Sequence, residues 1–455
     1  MSFNLNQISA MSVQELVRDG SHHDLYYYDH ANMFSQSRPT LCNNKFLQNF
    51  VSPNSGVNQL IFSPDQGLSD VIVVFKLLSE SELTGGNSYA NFGLNRGWGY
   101  NFINQVAVRY GGSSQYFFDG QQILMQNVQD MQDAVSRDVL FQLGGQACLG
   151  TNPATSANDF AVNQYAYCYI NLPHNTPNGD GLKMNPLPTE LLRQPVLVQV
   201  QMGNVQQVFS ANATANGAVL PFPPVSDAYF QVKQVRMINS EDLLTSHHEP
   251  SKISYTLPLK YFPQQLYQLQ IPVISSTPAS SVTQTVNLTG FRNGGVRSIL
   301  LWLSNTGNTP TTGTTATARV YNPNLWYAPE NTVLSINGEI FYTSKYKSSL
   351  LLDLANNKQP NQLATTALTS TAGALTVVPA GNTSDYLKCD FSQVNDAVFG
   401  VNMLVAGKSI TNSIVNFQFT TPQSQANITT GWVLNALYLY NSSLVFAGGN
   451  CEYVF

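Results

Sequence analysis

Charged residues are scarce in this sequence of 455 residues. Asp, Glu, Lys and Arg together make up only 10%, against about 25% in an average soluble domain. The 21 basic residues are outnumbered by 26 acids and form no cluster. Because binding to a phosphate backbone depends on clustered Lys and Arg, this composition argues against a dedicated nucleic-acid-binding protein. It also argues against intrinsic disorder, since 43% of the residues are hydrophobic and 11% are aromatic.

The shortage of charge is concentrated in three stretches that contain no charged residue at all: Gln194–Ser226, Tyr261–Phe291 and Ser409–Cys451. A soluble monomer usually keeps a surface of mixed charge. Two interpretations therefore remain open. The chain is either part of an obligate assembly, whose buried interfaces are depleted of charge, or an extracellular β protein with a neutral polar surface.

Closely spaced cysteines are also missing. The five cysteines are odd in number and far apart, at Cys42, Cys148, Cys168, Cys389 and Cys451. A secreted disulfide framework favours an even number at close spacings, so we expect buried thiols and a reducing compartment. Residues 1–20 contain no basic segment followed by an apolar one, which predicts no secretion signal. The apolar runs are too short to span a bilayer.

The sequence lacks the common catalytic motifs, including H-E-x-x-H, G-x-S-x-G and G-x-G-x-x-G after a strand. Gly407-Lys408-Ser409 resembles the end of a phosphate-binding loop, but Asn402 stands where that motif requires its first glycine. We therefore expect a tight loop there, with no phosphate site. Paired carboxylates of the kind that glycosidases use are also almost absent from the strand-like segments of the second half.

Two histidine clusters are the only candidates for a metal site. One combines His22-His23-Asp24 with Asp29-His30, and the other is His247-His248-Glu249. Adjacent histidines on an extended chain point to opposite sides, so each pair offers at most one ligand per face. We therefore predict no catalytic, cofactor-binding or metal-binding residues, no cofactor, and no enzymatic activity.

Strand patterns dominate the rest of the chain. Polar and apolar residues alternate in Val196–Met202 and Val415–Thr420, which predicts strands with one buried face. The runs Val71–Leu78, Val296–Leu303 and Trp432–Tyr440 are almost continuously apolar, as expected of strands buried on both faces. Turn residues separate the runs, so the pattern favours an all-β sandwich or barrel.

Helices are predicted only as insertions. An apolar stripe with spacings of three and four predicts a helix in Gln121–Leu143, and shorter helices are predicted over residues 13–19 and within Ser344–Asn357. The stripe consists of Leu124, Val128, Met131, Val135 and Val139. Long loops rich in Thr, Ala, Asn, Gly and Pro are predicted at Gly144–Asn163, Pro173–Pro195, Gly203–Ser226, Asn305–Ala318 and Asn356–Ser384.

The chain divides into an N-terminal arm (1–44), a first β domain (45–240), a charged linker (241–251) and a second β domain (252–455). The two domains contain the same order of elements. In the first, a strand is followed by Gly111-Gly112, the aromatic run Tyr116–Phe118 and a helix. In the second, a strand is followed by Asn337-Gly338, Phe341-Tyr342 and a shorter helix. The shared order favours an internal duplication.

Four groups of segments, in order, resemble the double jelly-roll major capsid proteins of icosahedral double-stranded DNA viruses, closest to those of large eukaryotic DNA viruses, virophages and polinton-like elements. They are Ile103–Gly112 followed by Asp119-Gly120; Tyr169–Pro173, Asn185–Pro188 and Val196–Met202; Leu334–Gly338; and Val398–Val405, Asn416-Phe417 and Tyr438–Gly449. The resemblance spans about residues 45–455.

The resemblance implies two tandem eight-stranded antiparallel jelly rolls with short helical insertions and long loops. It implies a structural capsid protein of the virion, made and assembled inside the host cell, whose homotrimers form pseudo-hexagonal capsomers. The implied partners are the chain itself, neighbouring capsomers, minor and penton proteins, and an internal membrane, but no specific nucleic-acid sequence. The alternatives are a secreted or surface β-sandwich lectin or adhesin and, less favoured, a β-sandwich glycosidase or lyase.

Overall fold

The computed structural model describes just over half of the chain, and the predicted all-β fold class is confirmed. The described residues are 39–40, 45–62, 67–78, 92–112, 115–130, 134–149, 164–172, 187, 189, 192–211, 224–237, 254–263, 267–270, 283–305, 321, 323–324, 326–343, 365–371, 374–380, 387–390, 408–420 and 432–454. Within these ranges, no helix has the length and hydropathy needed to cross a membrane.

The described residues of the first half form twelve strands, three α-helices and one 3₁₀ helix at Val205–Val208. The strands are β1 (Pro39–Thr40), β2 (Lys45–Asn49), β3 (Val57–Phe62), β4 (Gly67–Leu77), β5 (Phe92–Leu94), β6 (Ile103–Arg109), β7 (Tyr116–Phe118), β8 (Cys148–Leu149), β9 (Tyr165–Ile170), β10 (Val196–Met202), β11 (Ser210–Ala211) and β12 (Val225–Met237). The helices are α1 (Trp98–Phe102), α2 (Gly120–Asp130) and α3 (Ala134–Leu143).

The second half is built almost entirely of strands. They are β13 (Ser254–Pro263), β14 (Tyr267–Gln270), β15 (Thr283–Leu288), β16 (Gly295–Asn305), β17 (Trp326–Tyr327), β18 (Glu330–Ile336), β19 (Glu339–Thr343), β20 (Thr365–Thr371), β21 (Ala374–Ala380), β22 (Leu387–Asp390), β23 (Lys408–Ser409), β24 (Val415–Thr420), β25 (Trp432–Ala447) and β26 (Asn450–Val454).

Each half forms a sandwich of two antiparallel sheets with the same strand order. In the first sandwich the sheets run β2-β12-β4-β9 and β3-β10-β6-β7. In the second they run β13-β25-β16-β22 and β15-β24-β18-β19. If the eight principal strands of each sandwich are counted along the chain, both orders read 1-8-3-6 and 2-7-4-5. This is the jelly-roll order, and its repetition supports the predicted duplication.

The two ends of each sandwich can be told apart by the connections that they carry. Consecutive principal strands alternate in direction because their pairings are antiparallel. The connections from strand 3 to 4, 5 to 6 and 7 to 8 therefore share one end, which we call the insertion end; the opposite end is the base. Among the described residues, the connections at the insertion end contain β5, α1, α2, α3, β8 and β11 in the first sandwich, and β17 and the β20–β21 hairpin in the second.

The alternating strands predicted from the sequence have the predicted faces. In β10, Val196, Val198 and Val200 are buried and point into the first core. In β24, Val415 and Phe417 are buried in the core of the second sandwich. The alternation of polar and apolar residues therefore predicted correctly which side chains of both strands point into the core. This is expected where one face of a sheet packs on a core.

The helical insertion differs from the prediction. Residues predicted as one helix form two, α2 and α3, and Val139 at the end of the proposed stripe is 46% exposed. In α3 the buried side chains are Leu140 and Phe141 instead, and the stripe residues Met131 and Val135 lie outside the residues whose side chains are described. The predicted loop Asn356–Ser384 contains the β20–β21 hairpin, and short strands β8, β11 and β17 likewise lie within or beside predicted loops.

Several predicted features fall outside the described residues: the arm apart from β1, the linker, the helices at 13–19 and Ser344–Asn357, and Cys42. β1 pairs with Arg236 and Met237 of β12, so two residues of the predicted arm extend the first sheet. The four described cysteines, Cys148, Cys168, Cys389 and Cys451, are buried thiols.

Candidate functional site

The two sandwiches meet at a junction that the described residues of both halves form. The β16 strand of the second sandwich is buried on both faces. Ile299 and Leu301 point into the core of their own sandwich, whereas Leu300 and Trp302 belong to the hydrophobic cluster of the first sandwich. The outer face of this sheet is therefore covered by the neighbouring sandwich, which explains the continuous apolar run in the sequence.

Asn324 joins the two sandwiches at their insertion ends. This residue is fully buried, and its amide nitrogen donates hydrogen bonds to the carbonyl oxygens of Arg96 (2.8 Å) and Gly97 (3.0 Å). Its amide oxygen accepts a hydrogen bond of 2.6 Å from Nε2 of Gln121 at the start of α2. A single side chain thus provides hydrogen-bond partners for polar groups on two insertions of the first sandwich. Burying those polar groups without partners would be costly.

Two further contacts reinforce the insertion end. The backbone nitrogen of Tyr321 donates to Oγ of Ser210 (2.9 Å), and the carbonyl oxygen of Tyr321 accepts from Nδ2 of Asn95 (2.6 Å). The guanidinium of Arg96 lies 4.3 Å from the centre of the Phe141 ring, which in turn packs against Trp326 of the second sandwich. This stacking gives the buried cation a favourable aromatic environment.

The base ends are joined by the final hairpin of the chain. The backbone nitrogen of Arg193, in the connection between β9 and β10, donates a 2.9 Å hydrogen bond to the carbonyl oxygen of Gly449, between β25 and β26. The Tyr453 ring of β26 packs against Tyr110 and Tyr116, with ring centroids 5.8 and 4.5 Å apart. These contacts place the last strand of the second sandwich in the core of the first.

The pairing of ends determines how the sandwiches lie. Insertion-end residues contact insertion-end residues, as in the bonds of Asn324, and base residues contact base residues, as in the bond from Arg193 to Gly449. The two sandwiches therefore stand side by side with their long axes parallel. The helices α1, α2 and α3 of the first sandwich consequently lie at the same end of the resulting block as β17 of the second.

A row of tyrosines occupies the outer face of the first sandwich at the position equivalent to the covered face of the second. Tyr165, Tyr167 and Tyr169 alternate along β9, and Val74 of β4 has Tyr167 and Tyr229 as its two register partners. Tyr165 and Tyr167 are stacked with centroids 6.3 Å apart and are 41% and 39% exposed. We call this surface, with Leu47 of β2 at its edge, the tyrosine face.

The tyrosine face also includes charged residues, since Lys76 is the register partner of both Tyr165 and Asp227. The Lys76 ammonium lies 5.8 Å from the centre of the Tyr165 ring, and the Tyr169 hydroxyl donates to Oδ1 of Asp70. Partial burial, followed by the neighbouring tyrosines and Asp227, raises the pKa of Tyr229 above its ordinary value. Its hydroxyl is therefore neutral at physiological pH.

A second exposed apolar group lies at the base of the second sandwich. Ile340 and Phe341 of β19 and Ile414 before β24 are 67%, 42% and 61% exposed. The backbone nitrogen of Ile414 donates to Oδ1 of Asn337, which brings Ile414 beside the turn that precedes β19. We call these three residues the apolar corner. It lies at the fifth principal strand of the second sandwich, as Tyr116 does in the first.

Asp119 is the most perturbed carboxyl group among those described. It precedes α2, and its Oδ1 accepts a 2.7 Å hydrogen bond from the backbone nitrogen of Gln122, as expected of an N-cap residue. Burial raises its pKa to about 6, although hydrogen bonds from the backbone nitrogens of Gln122 and Gln121 act in the opposite direction. The carboxyl packs within the fold, so we assign it a structural role.

The candidate metal clusters, His22–His30 and His247–Glu249, lie outside the described residues. Among the described residues, no three His, Cys, Asp or Glu side chains are grouped closely enough to hold a metal ion. Lys408 and Ser409, expected in a tight loop, form β23 and pair with Val296 and Gly295 of β16. A turn and a further strand follow, instead of the helix that a phosphate-binding loop requires.

The junction residues were not identified from the sequence. Asn324, Arg193 and Tyr321 lie in connections without hydrophobic periodicity, where no local pattern reports a distant partner. The only available indication was the double-sided apolar character of Val296–Leu303, which predicted that something covers the outer face but not what covers it.

Sequence comparison identifies no relative: no family model matches the chain, and no curated protein is significantly similar. Solved structures do match. A chain of the Sputnik virophage superposes with a TM-score of 0.53 at 12% identity, covering 91% of this chain and 88% of its own. A chain of the PBCV-1 virus capsid gives 0.53 at 11% identity, covering 90% and 95%. The mavirus major capsid protein gives 0.50 at 10% identity, covering 91% of both chains.

The matches extend over both sandwiches and the junction, since they cover about nine tenths of the chain. The resemblance to double jelly-roll major capsid proteins is thereby confirmed as a likeness of fold. At identities this low, the likeness by itself establishes the fold alone.

Proposed function

We propose that this protein is a structural major capsid protein that forms homotrimeric, pseudo-hexagonal capsomers of an icosahedral virus shell. The observation that carries the proposal is the parallel, side-by-side packing of two jelly rolls into one block, fixed at both ends by Asn324 and Tyr453. A block whose two ends differ, with the helices α1, α2 and α3 at one of them, can present different ends to the inside and the outside of a shell.

The scarcity of charge supports the proposal. Only 10% of the residues are charged, and the longest charge-free stretch, Ser409–Cys451, includes strands β24 and β25. β25 is covered within the chain, whereas the tyrosine face and the apolar corner remain open. Assembly would bury such surfaces, and aromatic residues are enriched where proteins associate. The same-fold structures are a virophage chain, a virus-capsid chain and a major capsid protein, which also favours this function.

The proposal extends to partners and location. The trimer would contact neighbouring capsomers, minor and penton proteins and, where one is present, an internal membrane. We propose the virion shell as its location, after synthesis and assembly inside the host cell. We expect no enzymatic activity and only weak binding to duplex DNA, because 26 acids outnumber 21 scattered basic residues.

The test is the mass and shape of the purified protein. Light scattering coupled to gel filtration should give three times the chain mass, and negative-stain images should show particles of hexagonal outline. The trimer should persist on dilution, because obligate interfaces commonly bury more than about 2,000 Å². A monomer that remains a monomer at every concentration would refute the proposal.

A further inference from the structure

Each sandwich has a second outer face, formed by its sheet of principal strands 2, 7, 4 and 5. In the first sandwich this is the outer face of β3-β10-β6-β7, on the side opposite the tyrosine face. In the second it is the outer face of β15-β24-β18-β19. The other sheet of the second sandwich packs against the first sandwich through Leu300 and Trp302, so this face points away from the junction.

A chain of glutamine side chains crosses the face of the first sandwich. Nε2 of Gln115 donates a 3.0 Å hydrogen bond to Oε1 of Gln199, and Nε2 of Gln199 donates one of 3.4 Å to Oε1 of Gln59. These bonds hold exposed amides in place, which lowers the conformational entropy that binding a partner would cost. We call this surface the first amide face: Gln59, Gln105, Gln115, Gln199, Gln201 and Phe117.

The outer faces of the two sandwiches carry matching rows of side chains. Register partners across the first face form the row Gln59, Gln199, Ala107 and Phe117. Register partners across the second form the row Asn287, Asn416, Ser335 and Ile340. Each row runs from two amides through a small residue to an exposed apolar side chain. We call the second surface the second amide face: Thr285, Asn287, Ser335, Ile340, Asn416 and Gln418.

Charge is scarce on both amide faces. Among the described outward-pointing side chains of the first face, only Arg109 is charged. In the second, the described acids Glu330 and Glu339 stand at the first positions of β18 and β19. A surface that faces water usually carries Lys, Arg, Asp or Glu at about 30% of its positions. Surfaces with less charge are typical of those that a partner covers.

We propose that the two amide faces are the contact surfaces between neighbouring capsomers, each covered by an amide face of a second copy of this chain. The inference rests on the proposed function and adds the chemistry by which one trimer meets the next. A primary amide both donates and accepts hydrogen bonds, so one amide face can bond to another of its kind. Ordered waters can bridge the amides that do not meet directly. The contact therefore forms without ion pairs.

The chemistry of the amide faces selects a second copy as the occupant. A strongly charged partner would lose the hydration of its ions and would find few opposite charges in return. An extended apolar partner would bury the amides of Gln59, Gln199 and Asn416 without hydrogen-bond partners, which is costly. A neutral surface that combines amides with single apolar side chains suits both requirements, and the chain carries one on each sandwich.

The experiment introduces charge at the centre of both amide faces. Gln199 and Asn416 both lie on principal strand 7, in β10 and β24. The acidic variant is Gln199→Glu with Asn416→Asp, and the basic variant is Gln199→Lys with Asn416→Lys. The matched control, Val51→Glu with Ser55→Glu, adds two charges at exposed positions in the connection between β2 and β3.

Three measurements are made on each protein. Thermal unfolding establishes that the fold is retained, and light scattering coupled to gel filtration gives the oligomeric state. Sedimentation velocity over a range of concentrations then measures association between trimers, at about 0.05 M and about 0.5 M NaCl, where charges are screened weakly and strongly.

We expect the unmodified trimer and the control to associate further, with an affinity that changes less than about threefold between the two salt concentrations, because no ions pair across the contact. The acidic and basic variants should each remain trimeric but fail to associate at low salt, since like charges would face each other. An equimolar mixture of the two variants should associate at low salt and dissociate at high salt.

Other outcomes contradict the inference in distinguishable ways. An acidic variant that associates as well as the unmodified protein, or a steep loss of association of the unmodified protein in salt, refutes the amide contact. Loss of the trimer in either variant would place the amide faces inside the capsomer. Unmodified trimers that stay single at every concentration would leave these faces to a different neutral occupant, such as a glycan, while the proposed trimer stands. An unmodified protein that is monomeric would refute both the inference and the proposed function.

Discussion

The ring of Tyr453 meets the ring of Tyr116 edge to face, with centroids 4.5 Å apart and planes at 88°. Tyr453 lies in the last strand of the second sandwich and Tyr116 in the fifth principal strand of the first. This aromatic contact therefore joins segments that are far apart in sequence. Edge-to-face pairs contribute about 1 kcal/mol beyond the apolar area that they bury.

Replacing Tyr453 with alanine should loosen the base of the junction. The substitution removes a buried ring that contacts both Tyr110 and Tyr116, and we expect the free energy of unfolding to fall by about 3 kcal/mol. Denaturant unfolding followed by tryptophan fluorescence measures this loss. Tyr453→Phe is the matched control: it keeps the ring contacts and should cost about 1 kcal/mol or less. Equal losses in the two variants would show that the rings do not hold the junction.

Two adjacent glycines allow steric crowding to be separated from backbone strain. Gly448 and Gly449 both have positive φ, +59° and +82°, so alanine at either position costs about 1 kcal/mol. A Cβ atom at Gly448 would meet nothing within 4 Å, whereas one at Gly449 would collide with the side chain of Arg193. We therefore expect Gly449→Ala to reduce the free energy of unfolding by at least a further 1 kcal/mol. Similar values for both variants would contradict the close approach of the two sandwiches at this point.

Asp119 should make the folded protein more stable at low pH. A salt-bridged acid has the opposite effect, because its pKa is lowered on folding. Burial raises its pKa to about 6 from an ordinary value of 3.8, so the folded protein binds a proton more readily than the unfolded chain. Its contribution to stability therefore grows as pH falls from about 7 to about 4 and is lost as pH rises through 6.

Asp119→Asn keeps a side-chain acceptor at the N-cap but removes the titration. We expect this variant to be more stable than the unmodified protein at pH 7, by an amount on the order of 2 kcal/mol, and nearly equal to it at pH 4. Thermal unfolding at the two pH values tests this expectation. A variant that is less stable at pH 7 would show that the ionised carboxylate is the better cap, despite its burial.

Much of the fold could be predicted because burial leaves a periodic pattern. Alternation in Val196–Met202 matched β10 residue for residue, and the continuous run in Val296–Leu303 correctly indicated burial on both faces. Patterns of this kind report that a face is covered, but not by which element. The hydrogen bonds of Asn324 and the packing of Tyr453 depend on segments brought together only by the complete fold.

Helix α3 shows a second limit of sequence patterns. The spacing from Leu124 to Val139 fits one uninterrupted helix, but the register holds only while the helix continues. In α3, Leu140 is buried and Val139 is exposed, so this helix turns a different side to the core from the one that the stripe predicts. Local spacing could not predict this side, because it does not report which neighbouring elements pack against a helix.

The N-terminal arm is the remaining part of the chain whose role we predict from the sequence. Its predicted helix is short, and a short isolated helix is marginal in water unless it docks on a partner. The arm also carries Tyr26-Tyr27-Tyr28, and aromatic anchors of this kind suit pockets on another protein. We therefore predict that the arm tethers the capsomer to neighbouring capsomers, minor proteins or the surface beneath the shell.

Two truncated chains test this role. One begins at Pro39 and keeps β1, which pairs with Arg236 and Met237; the other begins at Asn43 and removes it. Because β1 adds only two residues to the sheet edge, both should form trimers with melting temperatures close to that of the full chain. Neither should complete particles when supplied with the other virion components, as judged by electron microscopy. Loss of the trimer would place the arm within the capsomer itself, whereas normal particles would show that the arm has no tethering role.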